Sequence, residues 1–166
     1  MKNASKTALC GVLSALAAAI MLVGALLGIG TYASPLLAGV ALIPAGLKYG
    51  SKSQWLAFIV TALISLILVS DYEQLLMFIC LFGWYPIVRP RLRHLNKTLR
   101  IIIKFALFNV IICGVEALVM LVIAPETQAS WMLITLGILF NLLFVMYDKL
   151  LPRLEIMLCR RLGIKG

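Results

Sequence analysis

An all-α bundle of membrane-crossing helices is the fold this sequence predicts, and three observations predict it. Hydrophobic residues make up 63% of the chain and charged residues only 13%, with a mean hydropathy of +1.09. A soluble domain is typically about 45–50% apolar and 25% charged. The apolar residues are gathered into runs near the roughly 20 residues that cross a bilayer. Between the runs lie short segments that hold most of the charge and several of the helix breakers.

In chain order the candidate spans are 7–29, 34–47, 54–70, 73–88, 100–124 and 129–150, forming one six-span domain over residues 1–166. The first run continues past the length of a signal-peptide core and further spans follow it, so it is expected to be retained. The stretch GIGTYASP breaks the helix after it. There, Ser34 before Pro35 predicts an N-cap followed by a first-turn proline. Pro44 predicts a kink near the other end of the second span. The second to fourth runs are short, so their ends are less sharply drawn than their existence. Pro125 closes the fifth.

The basic residues set the orientation. With both termini in the cytoplasm, all fifteen Lys and Arg residues fall on cytoplasmic segments or the span ends beside them, while the outer loops carry only Asp71, Glu73 and Glu126. That is the positive-inside pattern of a multi-pass protein of the plasma membrane. The three Trp and five Tyr fall at or near span ends, where amphipathic rings prefer the interface. The cluster RPRLRHLNKTLR, residues 89–100, is accounted for by this topogenic role, with no nucleic-acid partner; contact with anionic headgroups or with a cytoplasmic partner is its secondary reading. Leu92, Leu95 and Leu99 suit a short amphipathic piece along the membrane surface.

Elements of catalysis are missing. His94 stands alone among arginines, and Cys10, Cys80, Cys113 and Cys159 have no CxxC spacing and read as small hydrophobes in or beside apolar runs. There is no GxxxxGK[ST] phosphate loop and no serine, histidine and acid set. A non-enzyme with no cofactor and no metal is the expectation.

Polar residues inside the spans are few. Glu116 is the expensive one, since a carboxylate at the centre of a span costs about 2.5 to 3.5 kcal/mol on insertion scales and is a functional candidate by default. The alternative is a structural carboxyl satisfied within the bundle. Asn109 and Asn141 lie near the middle of the fifth and sixth spans, either as interhelical glue or as ligand contacts. Tyr32, Tyr72 and Trp131 offer aromatic faces near the outer ends. Because Asp71, Glu73, Glu116 and Glu126 are unbalanced on that side, a small-molecule ligand held there should be neutral or cationic.

The first span raises a different question. Its stretch ALCGVLSALAAAI, residues 8–20, spends many positions on small side chains. Ala4, Ala8, Gly11, Ala15, Ala18 or Ala19, and Ala25 follow one helix face. In lipid such a face lets two backbones meet closely. It serves either an internal contact with another helix of this chain or an external docking surface.

Six spans, cytoplasmic termini, and the AxxxA motif of Ala15 to Ala19 give the chain a resemblance to the S components of energy-coupling factor (ECF) transporters. The segment GWYPIVRP, residues 83–90, is similar to membrane proteins of that general kind. The resemblance implies a substrate-specificity subunit for micronutrient uptake, such as a vitamin, held near the outer face by loops and span ends. It also implies that Ala15 and Ala19, with Ala8 and Gly11 on the same face, dock on a transmembrane T component driven by two separate ATPase subunits. A second class of similar size and charge bias is the non-transporting scaffold of the cell-wall elongation machinery (MreD-like).

Overall fold

The computed structural model describes residues 2–28, 32–94, 96–122 and 130–161, and these are helical almost throughout, with no strand among them. The helices are α1 (Lys2–Leu27), α2 (Ala33–Ala41), α3 (Ile43–Tyr49), α4 (Ser51–Leu68), α5 (Tyr72–Met77), α6 (Tyr85–Val88), α7 (Lys97–Val122) and α8 (Ser130–Arg161). A π-helical turn, Phe78–Phe82, joins α5 to α6, and a 3₁₀ turn, Arg89–His94, follows α6. Among the described residues four stretches are long and apolar enough to cross a membrane: Ala4–Leu27, Ser51–Leu68, Tyr72–Leu92 and Thr98–Val115. The first, at 24 residues, is about 36 Å long at 1.5 Å per residue, against a hydrocarbon core of about 30 Å.

Local chemistry explains the boundaries. Asp71 caps α5, its carboxylate accepting from the backbone N–H groups of Glu73 and Gln74 at 3.1 and 3.2 Å. Gly50, at φ 87°, makes the turn between α3 and α4 in a conformation that other residues avoid. The α2–α3 break at Leu42 has its cause two residues on: Pro44 has no N–H to offer the Val40 carbonyl, so the helix restarts with the proline in its first turn.

Three boundary expectations change. Ser34 does not cap α2; Tyr32 holds that position without a side-chain bond, and Ser34 sits buried in the first turn, its hydroxyl filling the space beside Gly24 of α1. A proline at position 35 fits the first turn whichever residue caps it, so the sequence signal was ambiguous. The sixth apolar run ends at 150, yet α8 continues through Pro152 to Arg161. At the other end of the chain, α1 begins ahead of its apolar run, at Lys2.

Two clusters make the core. In the first, Met21 of α1, Ala38 and Leu42 of the broken helix, Ala57 and Phe58 of α4, and Phe78 pack together. The second gathers Met77, Leu81, Phe82 and Tyr85 against Phe108 of α7 and Phe140, Phe144 and Tyr147 of α8. The α5–α6 segment stands between the two clusters and contributes to both, which makes it the centre of the bundle.

Candidate functional sites at the two ends of the bundle

The two ends differ in charge. One gathers the α1 start, the α3–α4 turn, the 3₁₀ turn and the last part of α8, joined by a Ser5 to Tyr49 hydroxyl bond of 2.8 Å and by ion pairs to Arg89. It is the basic end. The other gathers the starts of α2 and α5 with the last turns of α1, and carries Asp71 and Glu73.

At the basic end the motif GWYPIVRP is a hub, and Gly83, Trp84, Tyr85, Pro86 and Arg89 each have a contact that explains them. Gly83 leaves no room for a side chain, because a Cβ would run into the Phe58 ring. Trp84 donates its indole N–H to the Cys80 carbonyl at 2.7 Å. Pro86 has no N–H for the Phe82 carbonyl four residues back, and the fully buried Tyr147 hydroxyl supplies that bond from α8 at 3.3 Å. The same device recurs in reverse. Pro152 leaves the Asp148 carbonyl without its helical donor, and Arg89 Nη2 reaches across from the motif to it at 3.5 Å. Each proline in one element creates an acceptor that the other element fills, which is how a proline is tolerated within a membrane helix.

Asp148 is the centre of this end. Its carboxylate accepts from the Tyr85 hydroxyl at 2.5 Å, from Arg89 Nε at 3.0 Å and from Lys104 Nζ at 2.7 and 2.8 Å. Arg89 also reaches Glu155 at 3.3 Å. Lys104 is 8% exposed, so its charge is tolerated only because the carboxylate meets it. A cleft of about 320 Å³ opens beside this network between α7 and α8. Sequence reasoning passed over Asp148, which closes an apolar run among basic neighbours, and read Lys104 as topogenic charge. The usable signal was one acid and one base each set inside an apolar run, which favours a pair.

At the acidic end Tyr32 donates to Glu73 Oε1 at 2.5 Å and sets its ring edge-on to Phe140, with centroids 4.7 Å apart. Tyr72 is 65% exposed and points away from the bundle. Gln74, fully buried, donates to the Met21 carbonyl at 2.6 Å and so ties α5 to α1. Glu116 and Trp131 lie on α7 and α8, but their side chains fall outside the described residues, as does Glu126. Tyr32 therefore comes together with Glu73, a residue weighed only as bulk charge in the sequence.

Asn109 and Asn141 face each other across α7 and α8. Each amide donates to the other's oxygen at 3.1 Å, and each spends its second N–H on its own helix, at Phe105 and Gly137 carbonyls 2.8 Å away. All four amide donors are therefore used, two within the pair and two on the helices that carry it. This is the glue arrangement.

The small residues of α1 divide between two faces. Cys10, Ser14, Ala17, Ala18 and Met21 are buried, and the Cys10 to Ser14 part of this face meets α4. Ser14 Oγ donates to the Ala57 carbonyl at 3.1 Å, and Thr61 Oγ1 reaches the Ser14 carbonyl at 3.5 Å. Ala8, Gly11, Ala15 and Ala19 form a separate, outward face. A Cβ built on Gly11 meets nothing within 4 Å. Of the two alternatives Ala18 and Ala19 for one place in the stripe, Ala19 lies on the outward face and Ala18 is buried.

Compared with family models, with curated proteins and with solved structures, the chain matches none. Fold and composition define an all-helical protein with several helices long and apolar enough to cross a membrane, as an integral membrane protein requires.

Proposed function

We propose that this chain is the substrate-specificity subunit of an ECF-type uptake transporter, a six-span protein of the bacterial plasma membrane with its basic end and both termini in the cytoplasm. One observation carries the reading. The face holding Ala8, Gly11, Ala15 and Ala19 points out of the fold, although α1 already spends a different small-residue face on α4. Membrane helices associate by close packing rather than by escape from water, so small residues are useful where another backbone arrives. A second such face on one helix supports a second helix partner, here a T component powered by two ATPase subunits. The small-molecule ligand is assigned to the acidic end, where Tyr32, Glu73 and the exposed Tyr72 ring suit a neutral or cationic compound. The basic end collects the Lys and Arg residues expected on the cytoplasmic side.

Affinity purification of the tagged chain from its native membrane tests this. A T component and ATPases should co-purify with the wild type and be lost with Ala15→Leu/Ala19→Leu, while the isolated variant keeps its melting temperature. Co-purification of cell-wall elongation proteins instead, unaffected by the two substitutions, would establish the scaffold reading.

A further inference from the structure

We infer that the cleft between α7 and α8 at the basic end is a binding site for an anionic phospholipid, its phosphodiester held by Arg100 and its acyl chain laid along Ile101 and Ile156. The inference is independent of the transporter reading.

The charge balance of the cleft points to an anion. Arg89, Arg100 and Lys104 line it together with Asp148 and Glu155. Both carboxylates are engaged by Arg89 and Lys104. Arg100 remains, and its side chain pairs with no carboxylate among the described residues. One phosphodiester, carrying a single negative charge, neutralises the site, and guanidinium geometry matches two phosphate oxygens at once. The neighbouring Asp148 and Glu155 favour a singly charged ligand over a more highly charged one, because each further negative charge meets their repulsion.

The shape of the cleft points to a lipid. Its volume of about 320 Å³ suits a headgroup and the first part of a chain rather than a whole amphiphile. Ile101 and Ile156 stand on its rim, more than half exposed. Side chains of this kind at the bilayer boundary continue the wall of a headgroup site into hydrocarbon, and basic pockets between helices are the places where anionic headgroups settle. Lys104 lies one helical turn beyond Arg100 on α7, so the cations are stacked along the path a headgroup would enter.

Native mass spectrometry of the full chain in detergent, titrated with phosphatidylglycerol, phosphatidylcholine or inorganic phosphate, tests the assignment. One phosphatidylglycerol should stay bound per chain; phosphatidylcholine offers the same phosphodiester, but its choline cation leaves the cleft's positive charge unbalanced, so it should be retained about fivefold more weakly, the effect of one unit charge near a basic membrane site. Arg100→Gln should remove that preference. Lys52→Gln, which takes away an exposed charge outside the cleft, should not. Equal losses in the two variants would show diffuse surface attraction and overturn the site. Competition by millimolar inorganic phosphate would overturn the lipid in favour of free phosphate. Retention of the preference in Arg100→Gln would also overturn the assignment.

Discussion

The α1–α4 and α7–α8 interfaces hold membrane helices together in opposite ways. Between α1 and α4 the side chains are small, and the bonds run from hydroxyl and thiol groups directly to the opposite backbone, as with Cys10 to the Ser53 carbonyl and Ser14 to the Ala57 carbonyl. The two helices lie backbone to backbone. Between α7 and α8 long side chains bridge the gap: Lys104 to Asp148, the stacked rings of Phe108 and Phe144 with centroids 4.2 Å apart, and the Asn109–Asn141 pair. The first interface depends on leaving out atoms, the second on placing charged and aromatic ones. Because lipid supplies no hydrophobic force between helices, both serve as substitutes for it, and they should fail differently.

The largest failure is expected at Asp148→Ala. It removes the acceptor shared by Tyr85, Arg89 and Lys104, and a buried cation that loses its partner costs about 3–5 kcal/mol. Unfolding free energy measured in bicelles reads the effect, and a loss below about 1 kcal/mol would mean that the charges at this end are solvated rather than held.

A middle-sized effect should separate the two faces of α1. Ala17→Leu forces bulk into the contact with α4 and is expected to cost about 1–3 kcal/mol. Ala15→Leu, two residues away on the outward face, should stay within about 0.5 kcal/mol in the isolated chain. Equal losses in the same bicelle measurement would erase the distinction on which the docking face rests.

The smallest expected term is the amide pair. A double-mutant cycle of Asn109→Leu and Asn141→Leu should return a coupling of about 0.6 kcal/mol, the average for side-chain hydrogen bonds between membrane helices. Should the coupling approach the Asp148 value, the amides rather than the charges would be the main fastening of α7 to α8.

How far the sequence could be read depended on the range of the interactions. Helix and loop positions are local properties, so the apolar runs and Pro44 marked helical segments near where they occur, whereas the Gly50 turn and the Asp71 cap became visible only in the structure. The motif GWYPIVRP stood out as a string, but its purpose did not: Pro86 shows only that the Phe82 carbonyl loses a donor, and nothing nearby in the chain names Tyr147 as the replacement. Composition likewise announced that α1 was rich in small residues and that the acids were scarce enough to matter.

Tertiary structure alone decided which small residues were used and which charges met. Cys10, Ser14 and Ala17 on one side and Gly11, Ala15 and Ala19 on the other are equally plausible stripes at helical spacing, and only the position of α4 buries the first and leaves the second outward. Lys104 and Asp148 are 44 residues apart, each unfavourable alone in an apolar run. What makes them acceptable is the relative rotation and depth of α7 and α8, a relation between helices that no single apolar run encodes.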